Sequence, residues 1–365
     1  MSPDDVFAVS RHCFMEMLLA GYTTVGEFHY LHRDFAGARY ANANELAERV
    51  IEAAEDVGIR IRLLDVAYAS GGIGEPLRPE QRRFATPVLE RYLADVDALA
   101  GVVSGRPLVT LGVAPHSLRA VPVDWMEPVH AFACERDMPF HVHASEQRAE
   151  VTACEAAYGG RPVELLADRG VLDARTTVVH ATHVTEREVS QLAGGATICA
   201  CPTTERDLGD GFLEAEALLS QGATIALGSD SQTVIAPLEE IRLVEYHERL
   251  RKMRRVILAG RQPRTRAEVA PTLLAMATVA GARSLRIAAG ALEPGSVADF
   301  VAVDLDHPAF AGWTGDSLGA LLALCAPPDV ITDVWVGGVQ RVSERRHQAQ
   351  QEVAAAFREV GRRLA

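Results

Sequence analysis

Apolar residues along the chain gather in short runs separated by longer stretches with a helical repeat. The runs are 23–31, 59–69, 108–114, 139–144, 177–182, 196–201 and 223–227. They are rich in Val, Ile and Leu, and most lack polar alternation, which predicts strands buried on both faces. Helical patterns lie between them at 45–57, 80–99, 124–136, 162–169, 186–192 and 213–220. Many open on Asn, Thr or Pro and close on Gly. Gly58, Gly170 and Gly222 stand where a helix hands over to the next strand. Strand alternating with helix predicts parallel strands joined by right-handed crossovers.

A doubly wound sheet and a closed barrel both satisfy that pattern. The polar residues favour the barrel, because they recur at the carboxyl ends of the runs. They are Glu27 and His29, His116, His141 and His143, His180 and His183, Thr203 and Glu205, and Asp230. A barrel brings all those ends to one mouth, whereas an open sheet uses only those beside its switch point. The runs number seven, and a helical stretch at 6–19 leads into the first of them, as barrel helix 1 would lead into strand 2. The expected fold is therefore α/β, a (β/α)8 TIM-type barrel lacking its first strand. Beyond Asp230 the pattern predicts helices at 237–258 and 266–280, then β structure at 295–304 and 330–342 with a turn at Gly337-Gly338. The expected organisation is a barrel over 1–290, part of a small β appendage over 291–345, and a charged amphipathic helix over 346–365.

Composition narrows the class. Of 365 residues, 48% are apolar, enough for a sizeable core. The apolar stretch 318–326 is far shorter than the roughly 20 residues of a bilayer span, so no membrane partner is expected. The opening Met1-Ser2-Pro3-Asp4-Asp5 has no signal-peptide character. Lys and Arg number 36 against 49 Asp and Glu, a net charge of −13, which argues against nucleic acid. Six cysteines without a CxxC pair read as reduced thiols, mostly buried, of a cytoplasmic protein.

The densest chemistry is His141-Val142-His143-Ala144-Ser145-Glu146. Strand residues two apart face the same way, so both histidines point inward, with His143 nearer the mouth. Imidazole suits zinc, and Glu146 can reach a metal's water without ligating it. His180 can ligate a metal or hold a metal's water by a hydrogen bond. His183 lies past the strand end and reads as a loop residue. Asp230, in Gly228-Ser229-Asp230-Ser231, can ligate the metal and take a proton, or merely cap a helix. His116 can polarise a substrate group, and Arg119 can clamp a carboxylate with a bidentate pair. Cys199 and Cys201 read as small core residues. The loop 70–74 (SGGIG) lacks the spacing of a nucleotide-binding fingerprint and is a lid at most.

These motifs resemble the amidohydrolase superfamily of metal-dependent hydrolases, and within it the formimidoylglutamate deiminase family. The resemblance rests on AGYTTVGEFHYLHRD at 20–34, GVAPHSLR at 112–119, HVHASEQ at 141–147, VHATH at 179–183, CPTTERDLGDG at 201–211, GSDS at 228–231 and LEPGSVADF at 292–300. It implies one zinc ion per complete enzyme, with His143 and Asp230 as ligands and Glu146, His180 and Asp230 in catalysis. It also implies substrate contacts from Tyr30, His116 and Arg119. The implied reaction is hydrolysis of N-formimino-L-glutamate, a small acidic molecule, to N-formyl-L-glutamate and ammonia. A homodimer is the assembly to expect, if any.

One departure stands beside this match. The family's His-x-His pair at the end of barrel strand 1 has no counterpart here: His29 and His32 belong to the strand-2 motif, and His12 lies in a helical pattern. The expectation is a longer enzyme cut short at its front. Two other readings stay open from the residues: a catalytically impaired homologue, and a deaminase of the same superfamily acting on a ring such as guanine. Histidine and carboxylate ligands also suit iron or manganese.

Overall fold

Seven strands follow the predicted runs: β1 Thr24–His29, β2 Arg60–Ala67, β3 Val109–Pro115, β4 Phe140–Ala144, β5 Thr176–His180, β6 Thr197–Ala200 and β7 Thr224–Leu227. They are hydrogen-bonded in chain order. The registers of β1 with β2, β2 with β3, β3 with β4, β5 with β6 and β6 with β7 are all parallel. Four further strands, β8 Phe300–Val303, β9 Ile331–Val336, β10 Val339–Ser343 and β11 Arg346–His347, form a second sheet in the order β11-β10-β9-β8. This computed structural model describes residues 1–259 and 265–364. The chain divides into two compact units, the first comprising Met1–His141, Ala298–Ala302 and Thr332–Ala365, the second Val142–Val297 and Val303–Ile331.

In the first unit, helix Pro3–Ala20 opens on a capping box between Ser2 and Asp5 and stops at Gly21, whose φ of 99° only glycine adopts without strain. All eight residues of β2 are buried, as its unbroken apolar run requires. The predicted helix over 80–99 is two elements, a 3-10 turn Pro79–Phe84 and a helix Leu89–Val103. Pro87 lies between them; its ring removes a donor and turns the preceding residue out of helical geometry. The tail motif at 292–300 has a structural anchor. Asp299 accepts from Arg60 Nε at 2.8 Å and Nη2 at 3.0 Å, and from the Gly337 amide at 2.6 Å. This ion pair is nearly dry, with side chains 10% and 2% exposed. The predicted helix over 346–365 begins later: Arg346 and His347 pair with β10, and the helix runs Gln350–Leu364. Residue 365 lies outside the described residues.

In the second unit, β5 is wholly buried, and helices Arg148–Tyr158, Pro162–Asp168, Glu186–Ala193, Pro202–Leu208 and Ala215–Ser220 separate the strand segments. The predicted helix over 237–258 ends at Lys252, where Met253 turns left-handed at φ 48°. That over 266–280 is helical to Ala275 and widens into a π turn at Met276–Ala280. Only Cys154 and Cys201 of the six free cysteines are buried, so the expectation of mostly buried thiols fails; Cys134, on a helix, and Cys325, just past the end of one, are exposed. No described helix is long and apolar enough to cross a membrane.

Candidate metal centre

Three predicted residues meet in the second unit. One ligand atom each from His143, His180 and Asp230 lies within 4.8 Å of the other two. His143 Nε2 stands 4.0 Å from Asp230 Oδ1, and His180 Nε2 stands 4.0 Å from Asp230 Oδ2. Both imidazoles are buried, while Asp230 reaches solvent. The separations are too long for hydrogen bonds.

His180 is ringed by carboxylates. Glu146 Oε1 lies 3.8 Å from its Nε2, and Glu205 Oε1 lies 3.4 Å from its Nδ1. Burial disfavours the imidazolium, but the hydrogen bond to Glu205 and the charges of Glu205, Glu146 and Asp230 outweigh it and raise His180 to about 9. Its Nε2 is buried without a hydrogen-bond partner among the described residues. A dry imidazole nitrogen normally finds a partner. This one, beside a second imidazole and a carboxylate, fits a metal's surroundings.

The local backbone is bent to bring these groups together. Ser145, His180, Ala181 and Asp230 have φ of 54°, 71°, 51° and 42°. Such left-handed turns cost non-glycine residues about 1–3 kcal/mol each and persist only where surrounding contacts hold them. The Ala181 amide donates to Ala144 O at 3.1 Å and the His183 amide to Ser145 O at 2.9 Å. His183 is the loop residue the sequence suggests; its Nε2 bonds Asp210 O at 2.7 Å, and its carbonyl accepts Arg161 Nη2 at 2.6 Å. Asp230 caps no helix, since the next one begins at Pro237.

The CPTTE segment at 201–205 is the scaffold behind the site. Thr204 Oγ1 donates to Ser229 O at 3.0 Å and accepts the Ser231 amide at 3.1 Å, pinning the turn that carries Asp230. Thr203 donates through its amide and hydroxyl to buried Glu240 at 3.1 and 2.5 Å. Glu205 accepts the Cys201 amide at 2.9 Å with the same oxygen that faces His180. Gly228 is needed here, because a Cβ would sit 3.0 Å from the sulfurs of both Cys199 and Cys201. The sequence reading gave Glu205 and Glu240 no role. Glu205 shares the strand-end position that marks the other site residues, and that signal was available.

The remaining predicted residues belong to the first unit. Tyr30 packs edge-on to His116, with ring centroids 5.6 Å apart, and Tyr68 packs edge-on to His116 at 4.9 Å. His116 Nδ1 bonds Ser117 Oγ at 2.8 Å. Arg119 is half-buried three residues further on, and its carbonyl accepts Ser70 Oγ at 3.3 Å. His141 meets Phe28 edge-on at 5.9 Å and is not part of the metal-type cluster. Within loop 70–74, Gly71 and Gly72 exchange backbone hydrogen bonds with Glu75 at 3.0 Å, forming a tight turn.

The model of the amidohydrolase family matches residues 1–341. The chain belongs to the amidohydrolase family. A formimidoylglutamate deiminase from Pseudomonas aeruginosa is 36% identical over 369 residues, spanning 99% of this chain and 79% of that protein. The crystal structure of an amidohydrolase from Brucella melitensis aligns with a TM-score of 0.92 at 36% identity, covering 100% of this chain and 80% of that one. An adenosine deaminase from Xanthomonas campestris with bound zinc aligns with a TM-score of 0.83 at 25% identity, covering 100% and 76%. The expected fold class is that of this amidohydrolase family.

Proposed function

We propose that the chain hydrolyses N-formimino-L-glutamate to N-formyl-L-glutamate and ammonia, with one divalent zinc ion held by His143 and Asp230. The observation that carries this reading is the buried, unpartnered Nε2 of His180. It faces Asp230 at 4.0 Å and Glu146 at 3.8 Å in a chain 36% identical to a formimidoylglutamate deiminase. When bound, the metal would supply a water acidified toward about pKa 7. His180 orients the attacking water through Nε2. Asp230 accepts the proton that water gives up, and Glu146 delivers a proton to the departing amine. The substrate's charged imino carbon is already electrophilic, so proton movement matters more here than an oxyanion hole. Arg119, with Tyr30 and His116, binds the acidic end of the substrate, as the GVAPHSLR and AGYTTVGEFHYLHRD motifs imply; this supplies the binding energy that orients the reacting group.

The test is ammonia release from N-formimino-L-glutamate by the purified, zinc-supplied chain, with guanine as the competing substrate. Turnover of the formimino compound supports the proposal, and Arg119→Ala then raises KM more than it lowers kcat. Turnover of guanine alone contradicts it.

A further inference from the structure

The metal-type cluster leaves one buried acid outside its chemistry. Glu205 is 1% exposed and has no arginine or lysine partner among the described residues. Its Oε1 accepts two donors, the Cys201 amide at 2.9 Å and His180 Nδ1 at 3.4 Å. A buried carboxylate without a cation is costly, and it persists where it meets a proton it can hold. Among the described residues, the imidazole it bonds is the one whose other nitrogen lacks a hydrogen-bond partner.

We propose that Glu205 is the positioning residue of His180. When a metal is bound, its charge would keep the His180 ring neutral, and Glu205 holds the ring's one proton on Nδ1, so that Nε2 presents its lone pair toward Asp230, His143 and Glu146. A neutral imidazole has one protonated nitrogen, and the hydrogen bond at one nitrogen decides the state of the other. A carboxylate behind an imidazole fixes both tautomer and ring orientation, as in the carboxylate–histidine–metal arrangement. The geometry around Glu205 serves that task. Its own amide bonds Cys201 O at 2.9 Å, its carbonyl accepts the Asp210 amide at 2.9 Å, and neighbouring Thr203 is tied to Glu240. The acid is thus fixed by its backbone on both sides and through the next side chains, and its carboxylate meets the Cys201 amide and the His180 ring. Glu205 touches neither substrate nor metal in this scheme and acts only through His180.

This inference rests on the proposed function, and the experiment separates the two. Zinc-loaded full-length chain is compared with Glu205→Gln and Glu205→Ala, reading kcat and KM for ammonia release from N-formimino-L-glutamate. Long-range 15N–1H NMR spectra of the histidine rings give the tautomer of His180. The glutamine variant keeps an acceptor for the Cys201 amide and so preserves the fold if alanine does not. Outer partners of this kind change activity about 10–100-fold. The expected result is a loss of kcat of about tenfold in Glu205→Gln and about a hundredfold in Glu205→Ala, with KM within about twofold. His180 in the parent chain carries its proton on Nδ1. Turnover unchanged in both variants, a loss confined to KM, or a His180 protonated on Nε2 overturns the inference and leaves the proposed function standing. A parent chain that neither takes up zinc nor releases ammonia overturns both.

Discussion

Two aspartates of this chain, one enclosed and one open to solvent, differ in purpose. Asp299 is saturated: Arg60 grips it with two nitrogens, the Gly337 amide adds a third donor, and Thr24 Oγ1 a fourth at 3.4 Å. Its surroundings leave nothing for another molecule to satisfy. Asp230 sits on a left-handed backbone at φ 42° and faces two imidazole nitrogens at 4.0 Å, beyond hydrogen-bond reach. Thr204 and its neighbours spend their hydrogen bonds holding the Asp230 turn, while its carboxylate is left to face outward partners. Saturation marks a structural acid. A braced backbone carrying an unsaturated side chain suits the functional role proposed for Asp230.

That contrast can be broken in order of expected effect. Glu146→Gln removes the proposed proton donor, which lies outside the His143–His180–Asp230 cluster. Turnover should fall by about 10²–10⁴-fold, the usual worth of a general acid–base group, with the melting temperature little changed. Equal losses of activity and stability would make Glu146 a structural residue like Asp299. Asp299→Ala should do the reverse. It strands the Arg60 guanidinium in a dry site, and breaking such a pair costs about 3–5 kcal/mol. Denaturant unfolding should show that loss, and the chain still folded in buffer should keep its kcat. Thr204→Val is a smaller probe of the brace itself. It removes three hydrogen bonds to Ser229 and Ser231 in the Asp230 turn for about 1–2 kcal/mol of stability, and competition with a chelator should show weaker zinc binding. Unchanged zinc binding would show that the turn holds its shape without Thr204.

Much of the site was legible from strand-end positions. His143, His180 and Asp230 were read from residue type and place on the β-runs, and the structure brings those three together. Glu146 was read from its spacing to His143, and it approaches His180. Glu205 was visible as a strand-end acid, but its role depends on the turn that carries helix Pro202–Leu208 back toward β5, and no local pattern encodes that fold-back. Asp299 lay inside the 292–300 motif, which carried the family resemblance but gave this residue no role. Its partner Arg60 is 239 residues away, beyond any periodicity argument. The strands were read closely because an unbroken apolar run has few alternatives in a parallel sheet. The helix over 80–99 failed at Pro87, where a local signal was available, and the start of the last helix failed because the pairing of Arg346 and His347 with β10 is a tertiary contact.

The proposed chemistry requires His143 and Asp230 to hold a divalent metal. Equilibrium dialysis of zinc against the purified chain, beside His143→Ala and Asp230→Asn, tests it directly. The expected result is saturable uptake of one zinc per chain, weakened at least about tenfold in each variant while the circular dichroism spectra stay native. A parent chain that takes up no zinc, or variants that bind it as tightly as the parent, would contradict the account.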